Sequence, residues 1–274
     1  MGTTQKKANP SKGFQGVRDA IWVIVICFLI AYCIFEFVFG SPANFVNGDT
    51  NGAVLNGNLL GTIYKGGFIV PIIWTLLLTV VSLSIERFFA LKVAFGNGSL
   101  RKFVVGVKQA LSEQDFAKAQ SLCDKQKGSV ANVVSASLRK YKEMEETEGI
   151  EKEQKVAQIQ QAHEEATQLE MPTLQMNLPI IGTIVTLGTL VGLLGTVVGM
   201  IKAFAALASG GGGDSLALST GISEALVNTA SGILTGALAV ISYNYYTNKI
   251  DKLTYALDEV GYTIAQTYTA NHKA

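Results

Sequence analysis

Apolar residues gather into four stretches long enough to cross a bilayer, which takes about 20 of them in a helix. The first runs from Ala20 to about Phe39 and is interrupted by Glu36 near its far end. The second runs from Gly66 to Ile85. The third is uncharged from Met171 to Ile201, and the fourth from Ser215 to Asn248 except for Glu224. The last two exceed what a bilayer needs, so both helices are expected to project beyond it on one side. This pattern predicts an all-α, polytopic membrane protein with four transmembrane helices, the last two long and extending into a helical cytoplasmic part. The spans are placed at 20–40, 66–91, 174–208 and 216–247, with a tail over 1–19 and connections over 41–65, 92–173 and 209–215. A C-terminal helix follows over 248–274.

The connections differ in character. Residues 41–65 hold Asn47-Gly48, Asn51-Gly52 and Asn56-Gly57, dipeptides that favour turns, and read as a short irregular loop. Between the last two spans, Ser209 to Asp214 with its four consecutive glycines reads as a flexible turn. The long segment reads as helical. Gly96-Asn97-Gly98 ends the extension of the second span, Ser99 is placed to cap the next helix, and Asp115 to cap the one through Cys123. After a charged stretch from Lys140 to Lys155, a long helix is expected to enter the third span. On it Val156, Ile159, His163 and Ala166 recur at helical spacing, which makes His163 a packing residue.

Charge then orients the spans. Only 16% of the residues are charged, against about a quarter in a typical soluble domain. Basic residues collect on cytoplasmic flanks. Lys6, Lys7, Lys12 and Arg18 precede the first span, and thirteen of the 22 basic residues lie between Glu86 and Glu170. Lys249, Lys252 and Lys273 follow the last span, while 41–65 and the last turn region hold one each, Lys65 and Lys202. Both termini are therefore expected in the cytoplasm, with 41–65 and 209–215 outside. Ser41-Pro42-Ala43 would suit a signal-peptidase cut, so the first stretch reads either as a cleaved leader or as a retained span; its length favours the span. A formal net charge of +1 excludes a nucleic-acid binder driven by bulk charge. Three cysteines and two histidines are too few and too scattered for a metal site or a disulfide framework, and no cofactor motif is present. No nucleophile–base pair or phosphate loop appears either, so an enzyme is not expected.

The last two spans carry the informative faces. At about 100° per residue, Gly188, Gly192, Gly195 and Gly199 lie within about 60° of one another, a strip that lets membrane helices approach closely. Thr189 and Thr196 align beside it, one heptad apart. On the fourth span Thr220, Glu224, Asn228, Ser231, Thr235 and Ser242 fall within about 80°, continued by Gly221, Thr229, Gly232 and Gly236. Ile222, Leu226, Ile233, Val240 and Ile241 take the opposite side. Unsatisfied polar groups in hydrocarbon cost several kcal/mol each, so the polar side must face protein or a wet cavity. Its hydroxyls read as interhelical glue. For Glu224 two readings stand: ion passage or gating, and a structural hydrogen bond.

Leu190-Val191-Gly192-Leu193-Leu194-Gly195-Thr196-Val197-Val198-Gly199-Met200-Ile201 resembles the third-span signature of the MotA/TolQ/ExbB proton channel family. The run from Gly221 through Glu224, Asn228 and Thr229 to Gly232 resembles the last-span signature, and Tyr243-Asn244 its ending. The likeness reaches from about Gly66 to the C-terminus and is nearest to ExbB. It implies a homopentameric ring in the bacterial inner membrane around helices of an ExbD-like single-span partner. That partner carries the membrane aspartate that takes up the proton, and the ring energises a TonB-like protein. By motif position Thr196 and Thr229 line the ion path, and Glu224 is the acidic residue of the last-span motif. Gly188-Thr189 departs from the family's common Ala-Pro, and Lys202 stands where acidic or polar residues are usual. A TolQ-like, gliding or secretion motor shares the same core. A self-sufficient channel and a structural scaffold are the readings from other classes.

Overall fold

A computed structural model describes residues 20–50, 52–209 and 215–272, so the basic tail over 1–19, the glycine tip at 210–214 and Lys273 lie outside the described residues. Among the described residues there is no strand, only an isolated bridge between Phe45 and Val54. Four helical stretches are long and apolar enough to cross a membrane: Ala20–Phe39, Ile69–Ser112, Leu178–Ala208 and Leu218–Asn271. The described residues divide into two compact units, one within 20–85 and 177–245, the other within 86–176 and 246–272.

The first unit is the apolar one. Helix α1 (Ala20–Cys33) ends in a π-helical turn, Ile34–Phe39, closed by the Gly40 N–H donating to the Phe35 carbonyl at 2.9 Å. Along α1, Ile21, Trp22, Ile26 and Leu29 stay exposed, as a lipid-facing helix requires, while Cys27 packs its thiol 3.6 Å from the Ser82 hydroxyl of α3 (Ile69–Phe95). The segment after α1 is more ordered than its turn dipeptides predict. Asn44 donates to the Val38 and Phe39 carbonyls, and its Oδ1 accepts from Asn58. Asn58 in turn caps α2 (Leu59–Tyr64) by accepting from the Leu60 and Gly61 N–H groups. Tyr64 stacks on Phe35 with centroids 4.7 Å apart, and the Tyr64 ring leaves no room for a side chain at Gly40. Two asparagines at the right spacing thus replace an irregular loop with a knit one, because each amide serves two backbone groups at once.

The second unit is built from α4 (Leu100–Ser112), α5 (Phe116–Gln126), α6 (Gly128–Glu146), α7 (Lys152–Gln175), the ends of α3 and α9 (Ser215–Asn271). Ser99 stands at the N-cap of α4 but makes no side-chain cap bond, whereas Asp115 accepts from the Lys118 N–H at 2.8 Å. The core gathers Ile159, Leu253, Leu257, Tyr141 and Tyr268, with the Tyr268 hydroxyl donating to the Met144 carbonyl at 3.1 Å. His163 is buried there, its Nδ1 2.9 Å from the Ser137 hydroxyl, and its ring occupies the space a side chain at Gly261 would need. Burial holds its pKa below the ordinary value, against the opposing pull of Asp258 and Glu164. Burial likewise pushes the Cys123 thiol up to about 12.

One helix boundary differs from expectation. The helix before the third span does not run into it: α7 stops at Gln175, Asn177 adopts φ +64°, and α8 starts afresh at Leu178. Pro179 fits the stop, since in a continuing helix it would offer no N–H to the Gln175 carbonyl, whereas in the first turn of α8 its missing N–H costs nothing. The helix of the fourth span runs on past residue 247 without a break, since α9 continues from Ser215 to Asn271. The uncharged stretch gives way to Lys249, Asp251 and Lys252 without any helix-breaking residue.

Candidate ion-path site

The site lies where α8 (Leu178–Ser209) and α9 pack antiparallel within the first unit. Their backbones touch along the two glycine strips. A Cβ at Gly192 would stand 2.9 Å from both the Asn228 carbonyl and the Gly232 Cα; one at Gly232 would stand 2.6 Å from the Gly188 carbonyl. At Gly199 it would meet the Gly221 carbonyl at 2.9 Å, and at Gly236 the Thr189 hydroxyl at 2.8 Å. Gly195 leaves its space to the Asn228 side chain. Such approach is available only to residues without a side chain and gains dispersion contact that lipid would otherwise take. Outside this seam, Leu190, Leu193, Leu194, Leu226, Ile233 and Ile241 remain exposed.

Thr196 and Thr229 meet across the seam, their hydroxyls in hydrogen-bond contact. Each also has a main-chain acceptor: Thr196 donates to Gly192 at 3.3 Å and Thr229 to Ala225 at 3.1 Å. Each half-buried hydroxyl has one proton to give, so while one donates to its partner the other donates to its own main-chain carbonyl. The close approach of the glycines permits this pairing, since Gly192 sits one turn from Thr196 and lets α9 come within reach.

Glu224 lies elsewhere. It is five residues from Thr229, about 140° around α9, and its buried carboxylate pairs with Lys202 of α8 at 2.7 Å. A Cβ at Gly67 would stand 2.7 Å from the Glu224 Oε1, and the Lys202 nitrogen lies 5.7 Å over the Phe68 ring. Asn228, one turn further along, donates from Nδ2 to the Gly66 carbonyl at 2.9 Å. The structure therefore joins Thr196 with Thr229 and sets Glu224 apart, against the turn that precedes α3. The Lys202–Glu224 pair and the Asn228 clamp were not foreseen. A partial signal for the pair existed: the glycine strips place residue 192 beside 232 and 199 beside 225, and the same antiparallel register puts 202 opposite 222, two residues from Glu224.

Among the described residues no group of three or more His, Cys, Asp or Glu is placed to hold a metal ion. In the second unit, Arg87 is fully buried, bidentate on its neighbour Glu86 at 2.5 and 2.6 Å. It also donates to the Thr173 carbonyl at 3.1 Å near the C-terminus of α7. Its role escaped sequence reading because a Glu-Arg dipeptide after an apolar run looks like an interfacial flank.

A polytopic helical membrane protein whose last spans pack on glycine and share a threonine pair is the class that fold and site define. Residues 126–259, which hold all of α8 and the membrane part of α9, match the MotA/TolQ/ExbB proton channel family. Together with the four apolar helices this makes the chain a multi-pass protein of the inner membrane. The Tol-Pal system protein TolQ of Pseudomonas aeruginosa is 25% identical over 124 residues, covering 45% of this chain and 54% of that protein. The chain thus spans about half the length of this curated relative.

Proposed function

We propose that the chain is the ring-forming, ExbB-like subunit of a proton-driven motor, working by ion passage rather than by covalent catalysis. In this reading five copies enclose an ExbD-like single-span partner with a membrane aspartate, both termini are cytoplasmic, and the motor energises TonB-dependent outer-membrane transport. The observation that carries it is the hydroxyl contact of Thr196 and Thr229 on a seam that lets two helices approach without side chains between them. One elementary charge crossing 100 mV delivers about 2.3 kcal/mol, so a partner carboxylate needs only a short polar relay beside it to be loaded and released. A Tol-type motor is the second reading, favoured by the likeness to TolQ.

Thr196→Val and Thr229→Val test the reading, because each keeps the shape and removes the hydroxyl. A partner charge left without its hydrogen bond costs on the order of 1–3 kcal/mol. Energy-dependent uptake is then expected to fall about ten-fold at unchanged protein level, with Thr254→Val as the indifferent control. Normal transport by both variants would reduce the threonines to helix glue. Co-purification of the single-span partner, and loss of uptake as against loss of envelope integrity on deletion, separates the TonB from the Tol assignment.

A further inference from the structure

Where α3 leaves its apolar run it keeps two unlike faces. Arg87, Ala90, Leu91 and Ala94 are buried in the second unit, whereas Phe88 and Phe89 are 51% and 53% exposed, with Lys92 and Val93 exposed beside them. About 20 helical residues cross the hydrocarbon core, so a crossing that starts at Ile69 ends near Phe88. Lys92, one turn on, then stands in the headgroup layer. Other parts of the second unit return to this end of α3. The Gln126 and Lys127 carbonyls fill the space a side chain at Gly96 would need, and a Cβ at Gly128 would stand 2.5 Å from the Ala94 carbonyl. The Asn97 N–H donates to the Gln126 carbonyl at 2.6 Å, and the Gln126 amide to the Phe95 carbonyl at 2.7 Å. These contacts bring Lys125 and Lys127 alongside the end of α3, and α4 starts from the same place with Arg101 and Lys102. All five cations are exposed, and none pairs with a described carboxylate, whereas Lys108, Lys118 and Lys140 elsewhere in the unit each have one. Asp124 is the only acidic residue of 92–102 and 124–128.

We propose that this end of the second unit is a binding surface for anionic phospholipid, with Phe88, Phe89 and Val93 against acyl chains and the five cations against headgroup phosphates. Two observations select lipid as the occupant. The exposed aromatic face continues a helix that has just crossed the bilayer, so lipid already surrounds its start. The unpaired positive charge fits an anionic headgroup layer, and the same face of a second copy would repel it. Helices α4 and α6 also begin here without a side-chain cap, which adds the positive ends of two helices. The surface follows from the inner-membrane setting and not from the motor reading.

The full-length chain carrying Phe89→Trp, Trp22→Phe and Trp74→Phe reports on the surface through its single indole. It is placed in vesicles with phosphatidylglycerol and phosphatidylcholine in both leaflets. One lipid at a time carries brominated acyl chains, and quenching of the indole gives their relative affinities. Each lysine or arginine at an anionic surface raises occupancy about five-fold. Phosphatidylglycerol is therefore expected to be preferred about five-fold or more at about 0.05 M salt, and to lose most of that preference at about 0.5 M. Lys92→Gln, Lys102→Gln and Lys127→Gln together should bring the two lipids to parity. Arg139→Gln, Lys142→Gln and Lys152→Gln, an equal loss of charge elsewhere in the unit, should leave the preference intact. Equal quenching by the two lipids at low salt overturns the proposal before any charge is removed. A preference that survives the first triple change, or that the second abolishes, overturns it too. No quenching by either lipid shows the face covered by protein, a second copy or a partner, and also overturns it. Threonine variants without effect on uptake leave all these outcomes untouched.

Discussion

Gly232→Ala is the smallest perturbation that reports on the α8–α9 seam. The added Cβ would stand 2.6 Å from the Gly188 carbonyl, 2.7 Å from the Gly192 Cα and 3.0 Å from the Gly192 N–H nitrogen. All three neighbours are backbone, so no side chain can rotate away and the helices must separate. Ordinary van der Waals contact begins near 3.4 Å, which puts the separation at several tenths of an ångström to an ångström. A shift of that size also pulls the Thr196 and Thr229 hydroxyls apart. Overpacking of this kind costs about 1–3 kcal/mol, partly offset by the better helix propensity of alanine, roughly 1 kcal/mol. At about 2–4 °C per kcal/mol for a chain of this size, a fall of several degrees in the melting midpoint is expected. Gly106→Ala is the matched contrast. That glycine also lies inside a helix, but its Cβ would meet only the flexible end of Leu122, at 3.2 Å. There propensity prevails, and the midpoint should stay or rise. Thermal melting of the purified proteins, followed by circular dichroism, checks both signs. Equal midpoints for Gly232→Ala and the wild type, or a larger loss at Gly106, would refute the close-packed seam.

Arg87→Met leaves the buried Glu86 without its guanidinium and the Thr173 carbonyl without that donor, a loss of about 3–5 kcal/mol expected to appear as low yield or a sharply lowered melting midpoint. His163 is held neutral by burial, with its folded pKa below the unfolded value near 6.5. The unfolded state then binds the extra proton first, so stability is full above that pH and declines as pH falls below it toward the folded pKa. Melting scans from about pH 8 to about pH 5 should show that decline, and His163→Gln should remove its share of the slope. For topology, single cysteines at Asp49 and Glu145 in a cysteine-free chain should differ. An impermeant thiol reagent in cells with a permeabilised outer membrane should label the first and spare the second; the reverse pattern would invert the proposed orientation.

Periodicity and composition alone determined the class of this protein. Long uncharged runs can satisfy their backbone groups in a bilayer only as helices, so four apolar helices follow from the chain without reference to packing. The two faces of α9 were legible for the same reason. Glu224, Asn228 and Thr235 are buried while Ile222, Leu226, Ile233, Val240 and Ile241 are exposed, because a bilayer sorts polar from apolar positions at the helical period. The end of α7 was written in Pro179 but masked by the uncharged run around it, and Asn44 and Asn58 looked like ordinary loop residues until their amides met distant carbonyls. The tertiary structure alone decided which partners meet. Thr196 with Thr229 and Lys202 with Glu224 depend on the antiparallel register and depth of approach of α8 and α9, and Asn228 with Gly66 on the packing of α9 against the turn before α3. Residues 22 to 162 positions apart become neighbours only once these elements pack, and a wheel drawn on one helix carries no information about the rotation of the next.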